Sequence, residues 1–296
     1  MFKTQLRLHF IVLLWGFTGI MGKLITLEAL PLVFWRTLVA IASIFIVLKV
    51  LRISLKVTKK QLFTYFAVGS IIGLHWILFF SAIKVSNVSV ALSTLSTGAL
   101  FAAFIEPVFY KRKINPSEII LALIVISCLW LIFRASPEYL LGIILGILCA
   151  FLSALMTVLN GVLQKDSQNK PRVLMFYELV GAFILVLILL PFFGTFPQNI
   201  DVQPLDWLWL FILGSALTAF PMIESVALMK HISPYSLVLA VNLEPIYSII
   251  LAYFIFGESE KMSPLFYFAA TAMILVVVLN QILKVRQKRK SLELKS

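Results

Sequence analysis

Six ionisable side chains lie inside long apolar stretches of this 296-residue chain: Arg36, His75, Glu106, Glu178, Glu224 and Glu244. A charge at the centre of a bilayer-spanning helix costs at least about 2.5–3.5 kcal/mol, so each needs a partner or a task. Glu244 directly precedes Pro245, and a proline inside a helix removes one ladder bond and frees a carbonyl. Two readings of Glu244 are open: a carboxylate that binds a substrate amine or a proton, and a structural ion pair, for example with Arg36. His75-Trp76 offers a stacking or cation–π surface to a flat or ammonium-bearing solute. Equally, Trp76 anchors an interface and His75 bonds a neighbouring helix. His75 is also a candidate carrier of a coupled proton.

Glu224 follows Pro221 by three residues, and cavity lining competes there with pairing to Lys230. Glu106 lies a turn from Lys111 and reads as a structural or gating pair; Arg36 and Glu178 read as structural. Trp15, Asn160, Asn242 and Tyr247 complete the candidate substrate contacts, with Pro221 and Pro245 as bend points. Ser86, Ser89, Ser93 and Ser96 form a small hydroxylated face, and Gly16, Gly19 and Gly22 a small-residue series; both suit close helix packing, with part of the serine face available to a cavity. The three His residues have no metal-ligand spacing, and no Gly-rich phosphate loop or Walker-type segment occurs, so no catalytic residue, metal or cofactor is assigned. Cys128 and Cys149 lie within apolar runs as small buried residues.

The chain that positions these groups is 61% hydrophobic and 13% charged, with mean hydropathy +1.03. Soluble domains average about 25% charged residues, so a water-covered surface cannot be assembled here. A span needs about 20 mostly apolar residues. Ten stretches qualify: 6–24, 31–51, 61–82, 88–110, 117–134, 139–163, 172–193, 205–228, 233–256 and 263–284. The first, behind Lys3 and Arg7, has no small-residue cleavage site and is expected to be retained. With both termini on the cytoplasmic side, twenty Lys and Arg fall in inner segments and four in outer ones. That bias sets the expected N-in/C-in topology. It also assigns the net charge of +12, including the basic tail 285–296, to orientation and lipid headgroups rather than to nucleic acid.

An internal repeat divides the chain at 1–137 and 138–284. Phe66-Ala-Val-Gly69-Ser70 resembles Phe211-Ile-Leu-Gly214-Ser215, and Phe34-Trp35-Arg36 resembles Phe176-Tyr177-Glu178. Five spans per copy is odd, so the second copy is expected to enter the membrane inverted. Lys111-Arg112-Lys113 on the inside then corresponds to Phe256-Gly257-Glu258 outside. Inverted repeats of this kind place a site near the midplane.

The ninth stretch, Asn242-Leu-Glu244-Pro245-Ile-Tyr247 running on to Gly257-Glu258, resembles EamA-type ten-helix permeases of the drug/metabolite transporter superfamily. Phe34-Trp35-Arg36 and Trp15-Gly16 are similar to that family too. The resemblance implies an all-α membrane fold of two inverted five-helix repeats. It implies a carrier of small organic solutes such as amino acids in the cytoplasmic membrane, with the first, third, fourth, sixth, eighth and ninth helices around a cavity. Coupling to protons and oligomeric state are open. A flippase or channel on the same scaffold, or a membrane-embedded transferase, are the alternatives. One departure stands out: the family's proline in the fourth helix is Leu100, and its Glu-Pro step sits at Glu106-Pro107. The fourth helix is therefore expected to bend near its inner end.

Overall fold

A computed structural model describes residues 2–111, 113, 114, 116–166, 170–193, 202–241, 243–276 and 279. Asn242, Arg112 and the tail 285–296 lie outside the described residues. All regular structure among the described residues is helical. The first half holds α1 (Phe2–Leu24), α2 (Ala29–Val50), α3 (Lys59–Val85), α4 (Val88–Leu95), α5 (Gly98–Tyr110) and α6 (Pro116–Ala135). The second holds α7 (Leu140–Leu163), α8 (Pro171–Leu189), α9 (Pro204–Gly214), α10 (Phe220–Leu228), α11 (Pro234–Val241), α12 (Glu244–Phe256) and α13 (Pro264–Val276).

Seven stretches are long and apolar enough to cross a membrane, with Ile119–Ala135 and Pro264–Val276 as shorter apolar helices. The surface carries the matching signature: Phe63, Phe192 and Phe254 are each nearly four-fifths exposed, which suits lipid and not water. Helix starts follow local chemistry. Thr58 and Gln61 form a reciprocal capping box at α3. Asn87 accepts from the Val90 amide at 2.8 Å to cap α4.

The stretches 88–110, 205–228 and 233–256 are each broken near the middle. Between α9 and α10, Ser215–Ala219 form a π turn. Pro221, in the first turn of α10, has no N–H to donate, and within the π turn the Thr218 hydroxyl donates to the Leu213 carbonyl. Between α11 and α12 the ladder stops ahead of Glu244-Pro245. The fourth stretch differs from expectation. It breaks at Ser96-Thr97, not near Glu106-Pro107, and α5 runs unbroken through Pro107. Hydroxyls cause this break. Thr94 donates to Val90 and Ala91 carbonyls, Ser96 to Leu92 and Thr97 to Thr94, and Gly98 follows. Ser96 lies 145 residues before Val241, the last residue of α11.

The halves grip each other reciprocally. A methyl group built on Gly214 of α9 would lie 3.0 Å from the Arg36 carbonyl oxygen of α2, and one on Gly69 of α3 would collide with the Glu178 backbone of α8. Arg36 and Glu178 are related by the repeat, as are Gly69 and Gly214, so each half supplies the glycine for the other's helix. At Gly181 a methyl would lie 2.6 Å from the Phe66 carbonyl oxygen, which seals α8 onto α3. The glycines of α1 act likewise: Gly16 faces Tyr247 and Ser248, Gly19 faces Val88 and Leu92, and Gly22 faces Phe80.

Candidate functional site

The helix breaks surround a small central cavity of about 90 Å³. Trp15 and Thr18 reach it from α1, His75, Trp76 and Phe79 from α3, and Leu95 from the end of α4. Ser153, Thr157 and Asn160 line it from α7, Ser225 and three methionine or valine neighbours from α10, and Glu244 from the start of α12. Arg36 of α2 lines it as well. Read from sequence as a structural or gating residue, Arg36 contributes to the cavity wall.

Arg36 is fixed there on three sides. Its guanidinium carbon sits 4.0 Å above the Trp76 ring and 5.3 Å from Phe80. Its Nε donates to the Thr218 hydroxyl at 2.8 Å, and that hydroxyl sits in the π turn. Nη1 is buried with no partner. Trp76, expected to stack a solute, is 4% exposed and stacks on Arg36 instead. It orients the cation.

Glu244 is 5% exposed and opens α12 immediately after the helix break. No cation lies within 4 Å of its carboxylate among the described residues. The direct Arg36–Glu244 ion pair considered from sequence is therefore absent among those residues. The two charges come from different halves and feel each other across the cavity. Behind Glu244, Ser248 donates to the carbonyls of Glu244 and Gly16, tying α12 to α1.

His75 contacts the Cys149 carbonyl through Nδ1 at 3.0 Å, and the Cys149 sulfur lies 3.1 Å from the same nitrogen. A carbonyl only accepts, so Nδ1 is the donor in this contact.

Other sequence candidates lie elsewhere. Glu224 pairs with Arg7, not Lys230, at the rim of a separate cationic cavity with Arg52, Lys170 and Arg172. Its neighbours Met222 and Ser225 line the central cavity while Glu224 points to the opposite side of α10. Tyr247 is also absent from the lining; its β-carbon packs on Gly16. Glu106 is buried within electrostatic reach of Tyr110, away from the cavity. Glu178 is fully buried and accepts from Asn160 Nδ2 at 3.1 Å. The serine face packs without lining the cavity: Ser89 bonds Glu260, and Ser86 and Ser96 bond their own helix. Sequence reasoning missed Thr18, Ser153, Thr157 and Ser225. The signal available was the polar stripe Ser153, Thr157 and Asn160 at helical spacing on apolar α7.

Two ion pairs lie at opposite ends of α1. Lys23 meets Glu260 at 2.7 Å, and Arg7 meets Glu224. Glu260 is fully buried and also accepts from the Val88 and Ser89 amides and the Ser89 hydroxyl, so it caps α4 from outside that helix.

The model of the EamA-like transporter family matches residues 7–134 and again 140–282. The chain belongs to that family. The double match is the repeat seen in the packing, and it makes the chain a multi-pass membrane protein of a transporter family. A solved structure, described only as a crystal structure of a protein, is similar at TM-score 0.68 and 15% identity, covering 95% of this chain and 98% of that one. At that identity the likeness shows the fold alone. A comparison with curated proteins finds no match.

Proposed function

We propose that this chain is a secondary transporter of a small zwitterionic solute, an amino acid or related metabolite, working by alternating access in the cytoplasmic membrane. The observation that carries this reading is the pair Arg36 and Glu244: opposite charges, one from each half, unpaired with each other and facing one cavity. A buried charge without a partner is costly, and a solute bearing both a carboxylate and an ammonium satisfies the two at once. Arg36 presents a fork to the carboxylate. Glu244 takes the ammonium, and Trp15, Phe79 and the methionines accept the apolar remainder.

The ten-span, N-in/C-in topology belongs to this proposal, as does the assignment of Lys23–Glu260 to the outer rim and Arg7–Glu224 to the inner. Alternate opening of these pairs, with the breaks before Pro221 and Pro245 as bend points, exposes the cavity to one side at a time. The lipid-transport alternative draws on an apolar groove of about 900 Å³ between α12 and α13. That groove lies within one half and shares no lining residue with the cavity, which favours the solute reading. Reconstituted proteoliposomes separate the two: saturable uptake of radiolabelled amino acids is expected, with no acceleration of fluorescent-lipid flip. The reverse pattern would refute the reading.

A further inference from the structure

Against the cavity wall lies a polar cluster that reaches the cavity through Asn160 alone among its three members. Glu178 of α8 is 0% exposed, Asn160 of α7 3% and Gln164 at the end of α7 4%. Asn160 and Gln164 are one helical turn apart, linked by the Gln164 amide donating to the Asn160 carbonyl at 2.9 Å. Among the described residues, one side-chain bond joins the cluster, from Asn160 Nδ2 to Glu178 Oε2. Glu178 Oε1, Asn160 Oδ1 and both polar atoms of Gln164 are buried without a partner. No Lys, Arg or His among the described residues pairs with Glu178. Tyr65 of α3 is within electrostatic reach of both Glu178 and Asp166 and stacks on Tyr177.

Buried polar atoms are ordinarily satisfied, and an orphan is costly. Glu178 touches Asn160, and Gln164 follows Asn160 by one turn on the same face of α7, so three acceptor oxygens without partners fall on one side of the helix pair. We infer that Glu178, Asn160 and Gln164 form a binding site for one monovalent alkali-metal cation, held by Glu178 Oε1, Asn160 Oδ1 and Gln164 Oε1. Charge and donor type both select it. One carboxylate balances one positive charge, whereas a divalent ion would leave a net charge buried. Carboxylate and amide oxygens are hard ligands suited to such ions, and the set lacks the imidazole or thiolate of transition-metal sites. Protonating Glu178 would supply a single hydrogen, enough for one of three acceptor oxygens; a cation serves all three.

Asn160 belongs to both places. Its side chain bonds Glu178 and also lines the central cavity. An ion held here fixes Asn160 and the α7–α8 contact beside the bound solute, which makes the cluster the coupling-ion site of the proposed transporter. The coupling role rests on that functional reading; the binding itself does not.

The test uses the purified full chain in detergent, with no solute present. Choline chloride is replaced stepwise by sodium or potassium chloride at constant ionic strength while thermal unfolding is followed. A ligand that binds only the folded state raises Tm saturably. The expected result is a saturable rise with at least one alkali ion. Its apparent affinity should fall at least tenfold in Glu178→Gln and measurably in Gln164→Leu, which keeps the carboxylate and covers the case that Glu178→Gln fails to fold. Glu244→Gln should retain the response. Equal Tm in choline and both alkali salts would overturn the site, as would an undiminished response in the folded variants. Stabilisation that follows pH alone would assign the cluster to a proton and overturn it too. Absent amino-acid uptake with an intact ion response would instead refute the transporter reading and leave the ion site standing.

Discussion

Glu244→Gln is expected to reduce amino-acid uptake by about two to three orders of magnitude while leaving the empty protein as stable as before, or more so. The magnitude follows from what the carboxylate is proposed to meet. A charge-assisted hydrogen bond contributes about 1.5–3 kcal/mol, removing one partner of a buried pair costs about 3–5 kcal/mol, and each 1.4 kcal/mol is about tenfold. The stability half follows from the empty structure, where Glu244 has no cation within 4 Å among the described residues. Gln removes an uncompensated buried charge and keeps the shape. A structural Glu244 gives the opposite pattern, with lower Tm and uptake falling only in step with folded protein. Uptake by proteoliposomes, normalised to monodisperse protein, and thermal unfolding together separate the two.

The second large effect is expected at the rim. Glu260→Ala should destabilise the protein by about 3–5 kcal/mol and open the cavity from the side that the charge bias assigns to the outside. Four donors converge on this carboxylate: Lys23 Nζ at 2.7 Å, the Ser89 hydroxyl at 2.9 Å, and the Ser89 and Val88 amides at 3.0 and 3.1 Å. Its removal orphans two buried amides and uncaps α4. Arg7–Glu224 at the other end of α1 is different, with side chains 51% and 20% exposed against 25% and 0% for Lys23–Glu260. An exposed pair contributes about 0–1 kcal/mol, so Glu224→Ala should leave Tm nearly unchanged. A Thr18→Cys reporter, labelled by an impermeant thiol reagent added outside, should react at least tenfold faster in Glu260→Ala. Unchanged labelling and Tm would show that this contact neither closes nor stabilises that rim.

Much of the helical scaffold was legible because long apolar runs and their breakers are local. The stretch 88–110 begins and ends in the structure at those residues, and Pro171 and Pro204 open α8 and α9 as helix-start residues. The break at Ser96-Thr97 was not legible. It is made by three hydroxyls bonding their own helix, and hydroxyls at helical spacing look the same when they only pack. The proline at Pro107 drew attention to the wrong turn, since the structure carries α5 through it.

The candidate site divides along the same line. The cavity brings together Trp15, His75, Trp76, Asn160 and Glu244, residues marked by polarity or bulk on apolar helices. Arg36 was marked too, but its position depends on Gly214 of the other half and on the π turn that places Thr218, neither of which hydropathy reveals. In sequence Glu224 stood between lining the cavity and pairing with Lys230. Which side of α10 it faces is set by the π turn five residues long just before it, and one added residue per turn rotates every side chain that follows. The Asn160–Glu178 bond crosses an interhelical turn over 18 residues and no periodicity announces it.

The most direct measurement is counterflow in proteoliposomes with three matched solutes: an aliphatic amino acid, the amine lacking its carboxylate, and the acid lacking its ammonium. If Arg36 and Glu244 hold the two ends of one zwitterion, only the amino acid exchanges efficiently. Each truncated solute should fall by about a hundredfold or more, because each leaves one buried charge without its partner. Arg36→Gln should then narrow the gap between amino acid and amine, and Glu244→Gln the gap between amino acid and acid. Equal exchange of all three solutes, or variants that weaken all three alike, would contradict the assignment of these two charges to one bound molecule.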